Sequence, residues 1–222
     1  MWNFAIHGTC LGESQMKYHG DVMGVANQLI EHDIGGTALF VNSDAGDIAP
    51  ALCHNWESSH ILANAATKLR QEIKVTSQID DLQVASKIID FGKTHLNLTL
   101  ARVANCTHGG YLDICTFCSS KFLNCDLDLH LSENWIEESP KFTAVRIKAN
   151  GKNTLLVTVP GEPINELGNQ IKSDAKAMGF DDTYVFGYSN SHMAYFTTPR
   201  EYEVGGYEGF MTFWGIGTSE KI

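Results

Sequence analysis

The order in which strands, turns and helices follow one another near both ends of the chain constrains its fold most strongly. Near the start, residues 2–7 and 37–42 have the short apolar runs that are typical of buried strands. Between them, apolar residues spaced i, i+3, i+4, i+7 and i+8 predict a helix that begins at Asp21. A second helix is expected to follow, with Ser59 as its N-cap and Leu69 on its buried face.

The same order returns near the other end of the chain. Residues 154–159 and 183–187 are typical of strands, and the pattern between them predicts a helix over residues 165–178. Residues 80–150 alternate apolar and polar side chains in places, which is typical of β structure with an irregular insert. We therefore expect an α/β (α+β) fold in one domain over residues 1–222, with a layered mixed sheet, flanking helices and a β-rich middle insert.

The charge of the chain excludes some partners. The formal net charge of −10 argues against a nucleic-acid partner and against simple electrostatic binding to anionic membranes, because both surfaces are negative. No apolar run approaches the ~18 residues needed to span a bilayer, although peripheral membrane contact stays open. The first residues, MWNFAIHG, lack the pattern of a signal peptide.

The cysteines and two glycosylation sequons favour an oxidising compartment, although the first residues show no signal peptide that would direct the chain there. Sequons begin at Asn97 and Asn105, and four of the six cysteines lie between Cys106 and Cys125. Disulfides are the favoured interpretation of this cluster, while free buried thiols and a cysteine–zinc site remain alternatives. These features predict a secreted or lumenal glycoprotein.

Three residues with metal-binding side chains follow predicted strands. They are His7, Glu162 and Tyr195, and ligands often bind where strands end in turns. Imidazole nitrogen and carboxylate oxygen suit zinc, and a phenolate can add to them. Spacing alone leaves the alternative that His7 is a hydrogen-bonded loop residue and Glu162 a charge near a helix N-terminus.

The turn SDAGDIAP, residues 43–50, is a further candidate. Gly46 permits a close backbone approach, and Asp47 can bind backbone N–H groups. A hydroxyl at position 49 would be exposed as an attacking or hydrogen-bonding group, but the residue there is Ala49. On physical grounds alone the turn could be purely structural.

Five segments in chain order resemble the neutral/alkaline ceramidase family, whose members are zinc-dependent amidases that cut the N-acyl bond of ceramide. The segments are NFAIHGTCLG, HGDVMGVA, VNSDAGDIAP, VPGEPINELGNQIK and SNSHMAYFTTPREYEVGGYEG. The resemblance implies that His7, Glu162 and Tyr195 bind zinc, and that Tyr195 also stabilises the oxyanion. It places Gly46, Asp47 and His192 at the substrate, which would be ceramide or a similar N-acyl lipid.

The chain departs from the family pattern in several places. Ala49 replaces the active-site serine, His192 replaces a tyrosine, and Ala194 replaces a histidine. The family also has a zinc-binding histidine further upstream and a C-terminal immunoglobulin-like domain. The resemblance therefore implies that the chain corresponds to a truncated catalytic domain.

The expected function is zinc-dependent hydrolysis of ceramide to sphingosine and a fatty acid, by a protein that is secreted, lumenal or membrane-associated in its full-length form. Two alternatives follow from the departures. One is a catalytically impaired, ceramidase-like lipid-binding protein. The other is a zinc hydrolase that acts on a different amide or ester.

Overall fold

The computed structural model describes residues 1–15, 17–74, 78–97, 128–130 and 136–222. The strands described are β1 (Trp2–Phe4), β2 (Phe40–Asn42), β3 (Asp81–Ile88), β4 (His95–Asn97), β5 (Asp128–His130), β6 (Lys141–Ala149), β7 (Lys152–Thr158), β8 (Glu162–Pro163), β9 (Asp182–Phe186) and β10 (Tyr195–Phe196). The helices described are α1 (Asp21–Ile34), α2 (Glu57–Glu72), α3 (Asn165–Ala177), α4 (Pro199–Val204) and α5 (Tyr207–Phe210). Helices flank the sheets, so the predicted mixed α/β fold class is confirmed.

The largest described sheet has the strand order β3-β6-β7-β9. Strands β3, β6 and β7 pair antiparallel, whereas β7 and β9 pair parallel, with Val157 opposite Val185. A parallel pair needs a crossover connection, and α3 supplies it. The connection carries the short strand β8 just before α3, so the sheet positions that segment.

Two further pairs of short strands are parallel and lie close to the candidate residues. β1 pairs with β2, and β8 pairs with β10. In the second pair Glu162 is the register partner of Tyr195. The fold therefore brings together two segments that are 33 positions apart in the sequence.

The main hydrophobic core collects residues from α3, β9, β10 and the segments on either side of β8. It consists of Phe91, Val159, Ile164, Leu167, Val185, Met193 and Phe196, each of which is buried. Phe91 and Phe196 meet edge to face, with ring centroids 5.9 Å apart. Val159 and Ile164 flank β8 in the sequence, and Phe196 belongs to β10. Because all three are buried in this core, packing holds the backbone around Glu162 and Tyr195.

Helices α1 and α2 pack against each other through small and branched residues, including Ala26, Ile30 and Ala63. Two sequence-based expectations for α2 are wrong. The helix begins at Glu57, so Ser59 lies buried in its first turn rather than at the N-cap. Leu69 is 60% exposed because the buried stripe of α2 runs along Ala63 and its neighbours.

A disulfide joins Cys10 to Cys53. It connects the segment that follows His7 to the segment that precedes α2. The predicted disulfides of the cluster Cys106–Cys125, and the sequon at Asn105, lie outside the described residues. In the part of the chain that the structure describes, no helix has the length and apolar character to cross a membrane.

Candidate active site

His7 lies three residues beyond β1 and is held by the turn at residues 43–50. Its backbone N–H donates to the carbonyl of Ile48 at 2.8 Å, and its ring Nδ1 lies 3.1 Å from the same oxygen. Because a carbonyl only accepts, Nδ1 carries the proton in this contact. The other ring nitrogen, Nε2, therefore faces the interior of the site.

The turn at residues 43–50 also contacts the segment that carries Glu162. The Gly46 N–H donates to the carbonyl of Pro163 at 2.9 Å. A Cβ atom on Gly46 would lie 2.8 Å from the carbonyl oxygen of Glu162, so a side chain would push the two segments apart. The predicted close approach at Gly46 is therefore present, and its partner is protein backbone.

The two aspartates of the turn contact helix α3. Asp47 accepts the backbone N–H of Asn165 at 2.7 Å, which satisfies one of the free donors of the helix N-terminus. Asp44 is buried and forms an ion pair with Lys172, with an Nζ to Oδ1 distance of 2.8 Å. Ala49 is exposed on the same turn. Substrate contact by Gly46 or Asp47 stays a prediction, because each has a structural role here.

The carboxylate of Glu162 is the centre of the site. His7 Nε2 lies 2.9 Å from Oε2, and the Tyr188 hydroxyl donates to the same oxygen at 2.8 Å. His192 Nε2 lies 3.1 Å from the other oxygen, Oε1. The Tyr195 hydroxyl also forms a hydrogen bond with the carboxylate. The structure thus brings together the predicted residues His7, Glu162, Tyr195 and His192.

Tyr188 was not among the residues predicted from the sequence. Its hydroxyl lies 3.3 Å from His7 Nε2 as well as 2.8 Å from Glu162 Oε2, so it contacts two of the three predicted zinc ligands. It follows β9 by two residues, and this position after a strand is the signal that could have identified it.

These contacts shift the pKa values of the groups involved. Burial would raise the pKa of Glu162, but hydrogen bonds from two imidazoles and two phenols outweigh burial and hold the pKa well below its ordinary value of 4.5. The hydrogen bond to Glu162 raises the pKa of His7 above 6.5, against the opposing effect of burial. Glu162 is therefore an anion at neutral pH.

Both phenols keep their protons at neutral pH. Burial, followed by the negative charge of Glu162, raises the pKa of Tyr188 and of Tyr195 well above the ordinary value of 10.0. The ring of Tyr195 also meets that of Tyr207 edge to face at 5.4 Å. Without a cation, the site thus presents two neutral O–H donors rather than a phenolate.

The donor types at this carboxylate suit zinc, although their arrangement is that of a hydrogen-bonded cluster. Within the described residues, no group of three or more His, Cys, Asp and Glu side chains is arranged to hold a metal ion. His7 and His192 instead form hydrogen bonds with opposite oxygens of Glu162, at 2.9 and 3.1 Å.

A groove of about 570 Å³ opens beside this cluster. Its walls combine apolar side chains with polar groups of the site. The lining includes His7, His19, Met23, Phe40, Val41 and Tyr188. Ligand sites are typically concave and partly apolar with a few convergent polar groups, and this groove has both features.

The mixed α/β fold of this chain is similar to the fold of solved ceramidase structures. One is a ceramidase complexed with C2, which is 18% identical with a TM-score of 0.69 over 98% of this chain and 42% of that chain. Another is the neutral ceramidase from Pseudomonas aeruginosa, which is 20% identical with a TM-score of 0.66 over 98% of this chain and 41% of that chain. The chain thus spans about two fifths of the length of these structures.

Sequence comparisons add no match to this structural likeness. No protein-family model matches the chain, and no curated protein does. At 18% and 20% identity, the likeness to the two solved structures concerns the fold. The resemblance predicted from the sequence segments is therefore confirmed as a neutral ceramidase-like fold.

Proposed function

We propose that the chain is a ceramidase-type amidohydrolase that cleaves the N-acyl bond of ceramide, or of a similar N-acyl lipid, with the help of zinc. One observation carries this proposal: His7, Glu162 and Tyr195 come from separate segments and meet at one buried carboxylate. They do so within a fold that ceramidases share. Their donor types suit zinc.

In this proposal, His7, Glu162 and Tyr195 hold the cation. Zinc in such a site activates water at neutral pH and polarises a carbonyl oxygen. The chain's own contribution is to fix these groups before substrate arrives. The carbonyl of Ile48 orients the His7 ring, and the register of β8 with β10 places Tyr195 beside Glu162. Such preorganisation lowers the cost of reaching the transition state.

The two phenols are the donors that stabilise negative charge on the scissile amide oxygen. Tyr195 is 6% exposed, and in the site without a cation burial and the charge of Glu162 keep the proton on its hydroxyl, which makes it a hydrogen-bond donor toward this oxygen. Tyr188 lies at the edge of the groove and holds its proton as well. The apolar side chains of Met23 and Phe40 in the groove would contact a hydrocarbon chain of the substrate.

A second candidate function is lipid binding without turnover, and Ala49 favours it. A methyl group at this exposed position of the turn can neither attack nor donate a hydrogen bond. Loss of one such group costs on the order of 10²–10³ in rate in hydrolases. Hydrolysis of another amide or ester is a third candidate, because the site near Glu162 does not itself select ceramide.

The proposal also concerns the cellular compartment in which the protein works. A disulfide between Cys10 and Cys53 lies directly beyond the His7 segment. Disulfides persist in oxidising compartments and are rare in the cytosol. The disulfide thus supports the proposal that the protein works in a secreted or lumenal setting.

The decisive experiment incubates the purified chain with an N-acylsphingosine labelled in its acyl group, with zinc and after treatment with a chelator. Zinc-dependent release of the labelled fatty acid is expected, and Glu162→Gln should abolish it. Glu166→Gln is the matched control, because Glu166 is exposed on the first turn of α3.

Two other outcomes favour the remaining candidates. Binding of the labelled lipid without release of fatty acid would support the lipid-binding protein. Hydrolysis of a simple p-nitrophenyl ester or anilide, with ceramide left intact, would support a hydrolase of different substrate class. Absence of both binding and hydrolysis would overturn the proposal.

A further inference from the structure

We infer that two copies of this chain associate edge to edge through strand β3, with the two strands antiparallel and Val84 at the two-fold axis. The same surface of each copy then meets its counterpart, as in most symmetric dimers. The inference goes beyond the proposed function, because the candidate active site lies on other segments of the chain.

Strand β3 lies at one end of the largest sheet. In the part of the chain that the structure describes, β3 pairs with β6 alone, and residues 82–88 are exposed. The strand is eight residues long and contains no proline. An edge of this kind presents unpaired backbone groups, and short strands or prolines are usual protections against further pairing. A further strand can therefore be added to β3.

The hydrogen-bond pattern determines which backbone groups of β3 face the open edge. Ile89 continues the register, and its N–H donates to the carbonyl of the opposite residue, Pro140, at 3.2 Å. Antiparallel pairs alternate between bonded and non-bonded positions, so the odd-numbered residues of β3 bond to β6. Thr143 agrees with this assignment. It lies opposite Ser86, but its N–H donates to Thr158 Oγ1 on β7. The N–H and C=O groups of the even-numbered residues therefore point outward.

This alternation limits how a second copy can pair with β3. Outward-pointing groups must meet outward-pointing groups, so an even-numbered residue must lie opposite another even-numbered residue. A two-fold axis through Val84 or through Ala85 satisfies this condition and overlaps the two strands most completely. The side chains decide between these two registers.

Charge favours the axis at Val84. In that register Asp81 lies directly opposite Lys87 of the second copy, and this pair occurs twice because of the symmetry. The Asp81 side chain is 39% exposed, so its carboxylate can accept a further cation beside Arg146. The axis at Ala85 would instead place Asp80 opposite Asp90 of the second copy, and like charges directly opposite each other are unfavourable.

The apolar side chains of β3 also fit this register. Leu82, Val84 and Ile88 are 56%, 63% and 67% exposed, and they share one face of the sheet because side chains alternate along a strand. The axis at Val84 places the two Val84 side chains opposite each other. Leu82 then lies diagonally across from Val84 and Ile88 of the second copy, so association removes apolar surface from water.

The first experiment measures the mass of the full chain by sedimentation equilibrium over a wide range of protein concentration. About 0.15 M salt is used, because it screens repulsion between the negative copies beyond about 8 Å. A concentration-dependent equilibrium of monomer and dimer is expected. Val84→Pro removes an N–H that faces the second copy but leaves the hydrogen bonds to β6 intact. It should raise the dissociation constant of the dimer about 10-fold or more, because symmetry removes two hydrogen bonds.

A charge reversal tests the same interface without altering the backbone. Lys87→Asp should raise the dissociation constant about 5-fold or more, because it faces Asp81 of the second copy. Adding Asp81→Lys to this variant should restore the constant to within about 3-fold of the wild type. Lys176→Asp is the control, since Lys176 is exposed on α3 and its reversal should have no effect. Circular dichroism and thermal unfolding establish that each variant is folded.

Cysteine cross-linking tests the register. Val84→Cys should give a disulfide-linked dimer under mild oxidation, because directly opposite residues of a bonded pair have Cα atoms about 5.5 Å apart. Ala85→Cys should cross-link no more than the wild type, because its two copies lie diagonally apart. Ser173→Cys, on the exposed face of α3, is the control.

Three results would overturn the inference. One is a wild-type chain that stays monomeric at every concentration. Another is a dimer whose dissociation constant neither Val84→Pro nor Lys87→Asp changes, because another surface would then hold it together. The third is cross-linking through Ala85→Cys in place of Val84→Cys. None of these measurements depends on zinc or on hydrolysis, so a failure here leaves the proposed function as it stands.

Discussion

Asp47 accepts the backbone N–H of Asn165 at 2.7 Å, which fastens the turn beside His7 to the first residue of α3. The helix begins three residues after Glu162, so this hydrogen bond adds to the Gly46–Pro163 contact between the two halves of the candidate site. The N-terminal residues of α3 have no capping side chain of their own from Ile164. A remote aspartate therefore performs the capping role.

Replacing Asp47 tests this link. Asp47→Ala should lower the free energy of unfolding by about 1 kcal/mol, because it removes a capping acceptor. Asp47→Asn should cost less, since the amide oxygen can still accept. Denaturant unfolding measures both. Asp174→Ala, on the exposed face of the same helix, is the control, and equal stability of Asp47→Ala and Asp174→Ala would contradict the capping role.

Gly46 should tolerate no side chain. Its added Cβ would lie 2.8 Å from the Glu162 carbonyl oxygen and 3.1 Å from the Ile164 nitrogen, both of which are backbone atoms that cannot turn away. Gly46→Ala is expected to destabilise the chain by about 1–3 kcal/mol and to weaken zinc binding. Denaturant unfolding and metal titration measure the two effects.

Gly24→Ala provides the matched control for this substitution. A Cβ on Gly24 meets nothing within 4 Å, and the residue lies inside α1. It should stabilise the chain by about 0.8–1 kcal/mol, because alanine favours a helix interior over glycine. If both substitutions had the same effect, the close approach at Gly46 would not matter.

Restoring a hydroxyl at position 49 separates the candidate functions. Ala49→Ser should raise the rate of N-acyl lipid hydrolysis on the order of 10²-fold, because the exposed turn would regain a group that can attack or donate. Ala51→Ser, two residues along the same exposed segment, is the control. Lipid binding with no change in hydrolysis on Ala49→Ser would favour the lipid-binding protein.

Zinc affinity should depend on pH in a defined direction. The hydrogen bond to Glu162 raises the pKa of His7 above 6.5, so Nε2, the nitrogen that zinc needs, carries a proton once the pH falls below that pKa. As the pH falls below that pKa, zinc must displace the proton, and affinity should drop by ~10-fold per pH unit. Competition titrations from pH 8 to pH 6 measure this. Affinity that stays constant across the range would contradict a role for His7 as ligand.

Much of the fold is visible in local sequence patterns. The helix that begins at Asp21 and the strands around β7 and β9 occur where apolar spacing predicts them. The errors in α2 have a common cause. Periodicity shows where a helix has two faces, but the packing partner α1 decides which stripe is buried, so Leu69 is exposed and Ser59 is buried.

The candidate site was partly predictable for a different reason. His7 and Glu162 follow strands, and that local rule identified them. The position of His192 beside Glu162 depends on the parallel pairing of β8 with β10, whereas Tyr188 is held by the hydrogen bond from its N–H to the carbonyl of Gly161 at 2.8 Å. Each of these strands is two residues long, which is too short for any alternation to appear in the sequence.

The register of the β8–β10 pair determines whether Glu162 and Tyr195 face each other, so the number of residues in each segment matters as much as their identity. Successive side chains in a strand point to opposite faces, so a slip of one position in either strand would turn Glu162 or Tyr195 away from its counterpart. Insertions and deletions within these two dipeptides should therefore abolish the cluster even when every contributing amino acid is retained. Length changes should be tolerated instead at exposed loop tips, such as the connection that contains Asn150 and Gly151 between two longer strands.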